Sequence, residues 1–308
     1  MTTQTVITPV RKSELIAVSG CLTGAFISEG TPTLQEIRSF EAMAGKQVAI
    51  VMWYHAFVEG FKFPTDVCAR LRSAGHFPFI RLEPWSYIGK NDFSFSLEKM
   101  VRGELDQEIL QWARGLRDFG SPVLHSFGHE MNVSAKERWY PWAGDSVLYR
   151  SACTRLADLF RSVGAENVRW VYSVNEYNPN LIREFYPGDD LIDYVGIDGF
   201  NFGDTQSWSH WRTFEEVFSD AYQTLRLVAP GKPVILSEFG SAEIGGDKGR
   251  WILDAFHSMK YTFTGVKGFV WFHHLKEADW RVNSTEDSLR SFTRALSDPY
   301  FQGRLRIE

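Results

Sequence analysis

Eight short apolar runs alternate with segments of helical character along most of this chain, and that rhythm limits the possible folds more than any other feature. The runs cover residues 22–27, 48–53, 77–82, 122–126, 168–173, 194–198, 234–237 and 266–272. Most are short and apolar throughout, as parallel strands buried on both faces are. Between them, helices are expected at 34–43, 64–73, 103–117, 147–163, 214–227, 248–260 and 287–296, with only a short turn region at 181–185. Ala74-Gly75, Val163-Gly164 and Pro230-Gly231 stop a helix just before the next strand. Eight strands in this order predict a closed parallel (β/α)8 (TIM) barrel, one domain over 1–308 with about the first 20 residues as an N-terminal extension. An open, doubly wound sheet holding a dinucleotide would show a Gly-x-Gly-x-x-Gly turn after its first strand. Here that stretch reads Gly20-Cys21-Leu22-Thr23-Gly24-Ala25.

Bulk properties remove several classes of function. A net charge of -5 lacks the basic balance of a nucleic-acid binder. No stretch is long and apolar enough to span a membrane. Cys21, Cys68 and Cys153 are far apart and odd in number, so they are expected to fill apolar space rather than form disulfides or hold zinc. The first 13 residues lack the apolar run of a secretion signal. The expected location is therefore the cytoplasm, or outside it if a leader has been trimmed. A monomer that needs no cofactor and no metal is expected.

Two of the apolar runs close on a glutamate. Glu130 follows the fourth in Ser126-Phe127-Gly128-His129-Glu130-Met131-Asn132, and Glu238 follows the seventh in Ile235-Leu236-Ser237-Glu238-Phe239-Gly240. Carboxylates are rarely buried without a partner, so either alone is as readily a salt-bridged residue as a working one. Together they occupy the strand ends where such barrels keep their chemistry. Two carboxylates facing each other across a groove are what cleavage of a glycosidic bond requires.

His129-Glu130-Met131-Asn132, followed by Trp139-Tyr140-Pro141-Trp142 and later by Ser237-Glu238-Phe239-Gly240, resembles glycoside hydrolase family 26. That is a family of β-mannanases with some mixed-linkage β-glucanases and β-1,3-xylanases. Further similar segments are Arg81-Leu82-Glu83-Pro84-Trp85, Tyr194 to Asn201, Trp271-Phe272 and Asp279-Trp280-Arg281. The resemblance implies a retaining hydrolase with Glu130 as acid/base and Glu238 as nucleophile. It implies a polysaccharide or oligosaccharide as partner, β-1,4-mannan first, with β-glucan, β-1,3-xylan and bacterial exopolysaccharide as alternatives. Two departures stand out. Residues 133–138 lengthen the loop before Trp139, and Phe200 stands where many members place a tyrosine that hydrogen-bonds the nucleophile. Tyr177 is the candidate source of the missing phenol.

Around the glutamates an aromatic and polar lining is expected, since flat sugar faces suit rings and a few polar groups then fix orientation. Trp53, His55, Trp85, His129, Trp139, Trp142, Asn175, Asp198, Phe200, Trp271 and His273 lie near strand ends. Trp85 and Trp271 are the expected platforms, while Trp112 and Trp251, inside helices, should be packing. Asp198 is expected either to bind hydroxyls or to brace the barrel, and Arg81 to pair with a strand-end carboxylate. Two rival readings remain. A metal-dependent hydrolase could draw on His125, His129, His273, His274 and Asp198, yet no His-Glu-x-x-His or opening His-x-His is present. A sugar-binding barrel with a silent site would leave both glutamates unexplained.

Overall fold

A computed structural model describes residues 20–89, 91–133 and 139–304. The expected N-terminal extension and most of the lengthened loop at 133–138 lie outside the described residues. The strands are β1 Cys21–Leu22, β2 Gly24–Phe26, β3 Ile50–Ala56, β4 Phe77–Glu83, β5 Val123–Phe127, β6 Val168–Asn175, β7 Tyr194–Asn201, β8 Val234–Ser241, β9 Val266–Phe272 and β10 Phe301–Gln302. From β2 to β9 each strand pairs in parallel with the next. β9 then returns to β2 through Ala25↔Trp271 and Phe26↔Phe272, which closes an eight-stranded (β/α)8 barrel. The expected first strand is divided at Thr23, and β10, which sequence reading did not anticipate, pairs with β1.

Helices α1 Leu34–Ala44, α2 Thr65–Ala74, α3 Leu97–Arg102, α4 Asp106–Phe119, α5 Ser146–Ser162, α6 Ile182–Phe185, α7 Phe214–Val228, α8 Lys248–Tyr261 and α9 Glu286–Leu296 follow the strands. Their starts are written locally: Thr33 caps α1 and Thr213 caps α7, each in a reciprocal box with the glutamate three residues on. The helix expected at 103–117 is α4, and α3, which sequence reading did not anticipate, precedes it and ends at Gly103, whose φ of 82° is left-handed.

Strand alternation divides the core into two layers. Phe26, Met52, Phe79, Leu124, Val171, Ile235 and Phe272 fill the barrel interior. Val51, Trp53, Ile80, Val123, Trp170, Leu236 and Trp271 point the other way, into the layer shared with the helices. A residue's parity on its strand therefore decides whether it can reach the mouth of the barrel from inside.

Candidate active site

Glu238 reaches the interior through a break in register. Ile197 pairs with Leu236 but Asp198 pairs with Glu238, so Ser237 is an extra residue in β8. Leu236 and Phe239 both join the outer layer, which leaves Ser237 and Glu238 to turn inward together. Re-aiming a side chain is what a bulge beside a working site does. Ser237 Oγ donates to Asp198 Oδ1 at 2.6 Å. Glu238 Oε1 accepts from the Tyr54 hydroxyl at 2.5 Å and from the Arg81 guanidinium. Arg81, fully buried, also donates to Asp198 Oδ2 at 2.5 Å and to Ser126 Oγ at 3.3 Å. Arg81 thus pairs with a strand-end carboxylate as its position suggested. Burial opposes its charge, yet Asp198 holds its pKa above the ordinary value.

Glu130 is placed differently, on the loop three residues past β5. Its φ of 54° is left-handed, a conformation costing about 1–3 kcal/mol when the surroundings impose it. Gly128 two residues earlier is also left-handed (φ 51°), and a Cβ there would sit 3.1 Å from the Trp142 ring. The Glu130 amide donates to Ser173 O at 3.0 Å, tying the loop to β6. Asn175 Nδ2 donates to Glu130 Oε1 at 2.8 Å, while Asn132 Oδ1 accepts from the Asn175 amide. Burial, with the charge of Asp198 nearby, pushes the Glu130 carboxyl up to about 7.

Both carboxylates open into one cavity of about 890 Å³, whose wall also includes Tyr54, Trp139, Asn175, Phe200, Trp208 and Trp280. Of the expected site residues, Glu130, Glu238, Trp139, Asn175 and Phe200 are thus brought together around one cavity. Other expected members are not. Trp271 is fully buried in the outer layer, donating from Nε1 to Trp280 O at 2.8 Å; its neighbour Phe272 faces the cavity instead. Trp53 has the same outward parity. His55 packs on Trp112, and His273 accepts from the Val282 amide and packs on Phe40, both outside the cavity wall. Asp198 braces the barrel through Arg81 rather than lining the cavity.

A second layer stands behind the wall. Trp142 is buried, stacks on Tyr140 at 4.5 Å and donates to His129 O at 2.7 Å. Trp85 packs edge-on against Tyr140 and donates to Glu83. His129 Nε2 lies 3.3 Å from the Tyr140 hydroxyl, and burial, with Arg81 and Lys276 nearby, lowers its pKa well below the ordinary value. A neutral imidazole behind Tyr140 orients the wall.

Sequence reading missed Tyr54, Trp208 and Trp280. Tyr54 was findable, since it directly follows Trp53 in a strand whose alternation sends one of the pair inward. It supplies the phenol expected from Tyr177, whose ring is half exposed on the rim. Trp112 and Trp251 pack as anticipated, donating to His125 Nε2 and Arg212 O. His125 and His273 point away from Asp198, and among the described residues no group of three His, Cys, Asp or Glu could hold a metal ion.

A closed parallel barrel with one carboxylate beyond its fourth strand and another on its seventh, in a shared aromatic cavity, is the construction of a glycoside hydrolase. Comparison with known proteins narrows the class. The profile of Glycosyl hydrolase family 26 matches residues 91–235. Endoglucanase H of Acetivibrio thermocellus is 36% identical over 290 residues, which cover 90% of this chain and 30% of that protein. The chain thus spans under a third of this curated relative. The catalytic domain of a GH26 endo-β-1,4-mannanase from Bacillus sp. JAMB-750 superposes with a TM-score of 0.71 at 15% identity, covering 92% of this chain and 87% of that one. The YdhT protein of Bacillus subtilis gives 0.66 at 21% identity, covering 95% and 90%. These two structures share the fold. The chain is thus similar to glycosyl hydrolase family 26 over residues 91–235, and to the endoglucanase along most of its length.

Proposed function

We propose that the chain is a retaining endo-β-glycanase in which Glu238 is the nucleophile and Glu130 the acid/base. The observation that carries the assignment is the contrast between two carboxylates in one cavity. Glu238 receives a permanent cation and a phenol on one oxygen, an environment for a carboxylate that stays charged. Glu130 is buried beside a neutral amide with its pKa pushed up to about 7, as a general acid needs near neutrality. In the first step Glu238 attacks the anomeric carbon while Glu130 gives its proton to the departing oxygen. In the second, Glu130 takes a proton from water, the water oxygen bonds to the anomeric carbon, and the bond to Glu238 breaks with its electrons returning to the carboxylate.

For the polymer, a β-glucan containing β-1,4 links is the first reading. The relative at 36% identity is named an endoglucanase, whereas the mannanase at 15% speaks for the fold. β-1,4-Mannan is the second reading, favoured by the resemblance of the His-Glu-Met-Asn and Ser-Glu-Phe-Gly segments. The test is reducing-sugar release and product length on barley β-glucan, mannan, glucomannan and β-1,3-xylan, with Glu238→Ala as control. Proton NMR of the first-formed product would show the β-anomer. Early appearance of the α-anomer would sink the retaining assignment.

A further inference from the structure

Trp208 poses a question the catalytic pair does not answer. It lies on the loop between β7 and α7, 70% exposed, in the wall of the catalytic cavity. A single exposed aromatic ring is ordinary on a protein surface. Here the loop beneath it is firmly braced. Ser209 Oγ donates to Gly203 O at 2.5 Å, Thr205 Oγ1 to Phe202 O at 2.7 Å, and the Asp204 amide to Ile244 O at 3.0 Å. Asn201 Oδ1 accepts from the amides of both Gly203 and Arg212, closing the base of the loop. Gly203 is left-handed at φ 53°, and a Cβ there would meet Ile244 O at 1.9 Å. These bonds fix the backbone that carries the indole, and the ring itself packs on Phe202.

The ring is also continuous with the reaction centre. Trp208 meets Phe202 edge-on at 5.0 Å, and Phe202 meets Phe200 at 6.2 Å and Trp280 at 4.8 Å. Phe200 pairs with Gly240, two residues beyond Glu238 on β8. Gln206, His210 and Glu277 line the cavity near Trp208 and can meet hydroxyls, the combination of flat apolar face and few polar groups that suits a sugar. Gln206 Nε2 donates to Glu277 O at 3.3 Å, which joins this loop to the one after β9.

We propose that Trp208 is the platform of a remote subsite that takes a further pyranose of the glycan, separate from the sugar cleaved between Glu130 and Glu238. The inference deepens the β-glycanase reading and rests on it. The subsite makes chain length a determinant of rate: a glycan long enough to reach Trp208 gains affinity that a short one lacks.

The experiment measures kcat/KM on β-1,4-linked gluco- and manno-oligosaccharides of increasing length for the wild type, Trp208→Ala and Trp208→Phe. In the wild type kcat/KM should climb once the chain reaches the ring. Trp208→Ala should lose about 10-fold of that gain through KM, with Trp208→Phe keeping most of it. An equal loss on short and long substrates, or no loss at all, overturns the subsite. Calorimetric binding of the longest oligosaccharide to Glu238→Ala, with and without Trp208→Ala, reads the subsite without turnover. A roughly 10-fold difference in Kd there supports the subsite even if the wild type cleaves nothing on the ladder, in which case only the catalytic reading fails. Equal Kd values, or no measurable binding, overturn it.

Discussion

Glu130 and Glu238 share a cavity but are held by different means. Glu238 sits within a strand, turned inward by a bulge, and its Oε1 is fixed by Arg81 and Tyr54. Behind it Arg81, Asp198 and Ser237 form a buried, mutually satisfied network. Glu130 sits on a left-handed loop residue and, among the described residues, its carboxylate accepts one hydrogen bond, from the neutral amide of Asn175. The difference teaches what each position is built for. A sheet residue clamped by a cation suits a charge that must persist and a geometry that must not drift. A loop residue in a desolvated pocket suits a proton that must come and go.

Replacing each carboxylate should break this comparison most visibly. Glu238→Ala should lose on the order of 10⁴-fold or more on polymer and aryl glycoside alike, because no intermediate can form. Glu130→Ala should lose about 10²–10⁴-fold on polymer. It should largely spare the first step with an aryl glycoside whose leaving group needs no proton, read as a pre-steady-state burst. Equal losses on both substrates would remove the distinction between the two roles. Tyr54→Phe comes next. It deletes one donor to Glu238 while leaving ring, packing and Arg81 in place, so activity should fall roughly 10- to 100-fold with little change in melting temperature. A large drop in melting temperature instead would make Tyr54 a structural residue.

The barrel was legible in the sequence because parallel strands buried on both faces leave long apolar runs and their helices end on glycine. The two glutamates were legible because charge at the end of such a run is conspicuous. The lining was not, and the reason is parity. Trp271 and Trp53 attracted notice as large rings at strand ends, but alternation sends both into the helix layer and turns Phe272 and Tyr54 inward. His55 shares the outward side of Trp53, and packs on Trp112 accordingly. Asp198 has the inward parity, yet Arg81 lies below the cavity floor and draws it into a salt bridge. The bulge at Ser237 also left no trace in the residue pattern, so Glu238 was expected past the strand and lies inside it. Trp208 lies in a loop without apolar periodicity, where sequence reading places no element at all.

The smallest effect is a shift in a pH profile, and it tests the contrast most finely. Burial and the charge of Asp198 raise the Glu130 pKa to about 7, while the Asn175 hydrogen bond pulls it down by favouring the carboxylate. Glu130 must carry its proton to start the reaction, so kcat/KM should hold below that pKa and fall as pH rises through about 7. Removing the amide in Asn175→Ala leaves only the charges of Arg81 and Lys276 to lower the pKa, so the basic limb should move to higher pH. Tyr54→Phe, acting on the other carboxylate, should leave that limb where it is. The same sign governs stability. A carboxyl with a folded pKa above its unfolded value favours the folded state while protonated, and that contribution is lost as pH climbs from about 4.5 through about 7. Glu130→Gln should therefore flatten the decline in melting temperature over that window as well as abolish the basic limb. A limb that persists in Glu130→Gln would belong to another group; Glu83, buried and also pushed up to about 7, is the one to test next.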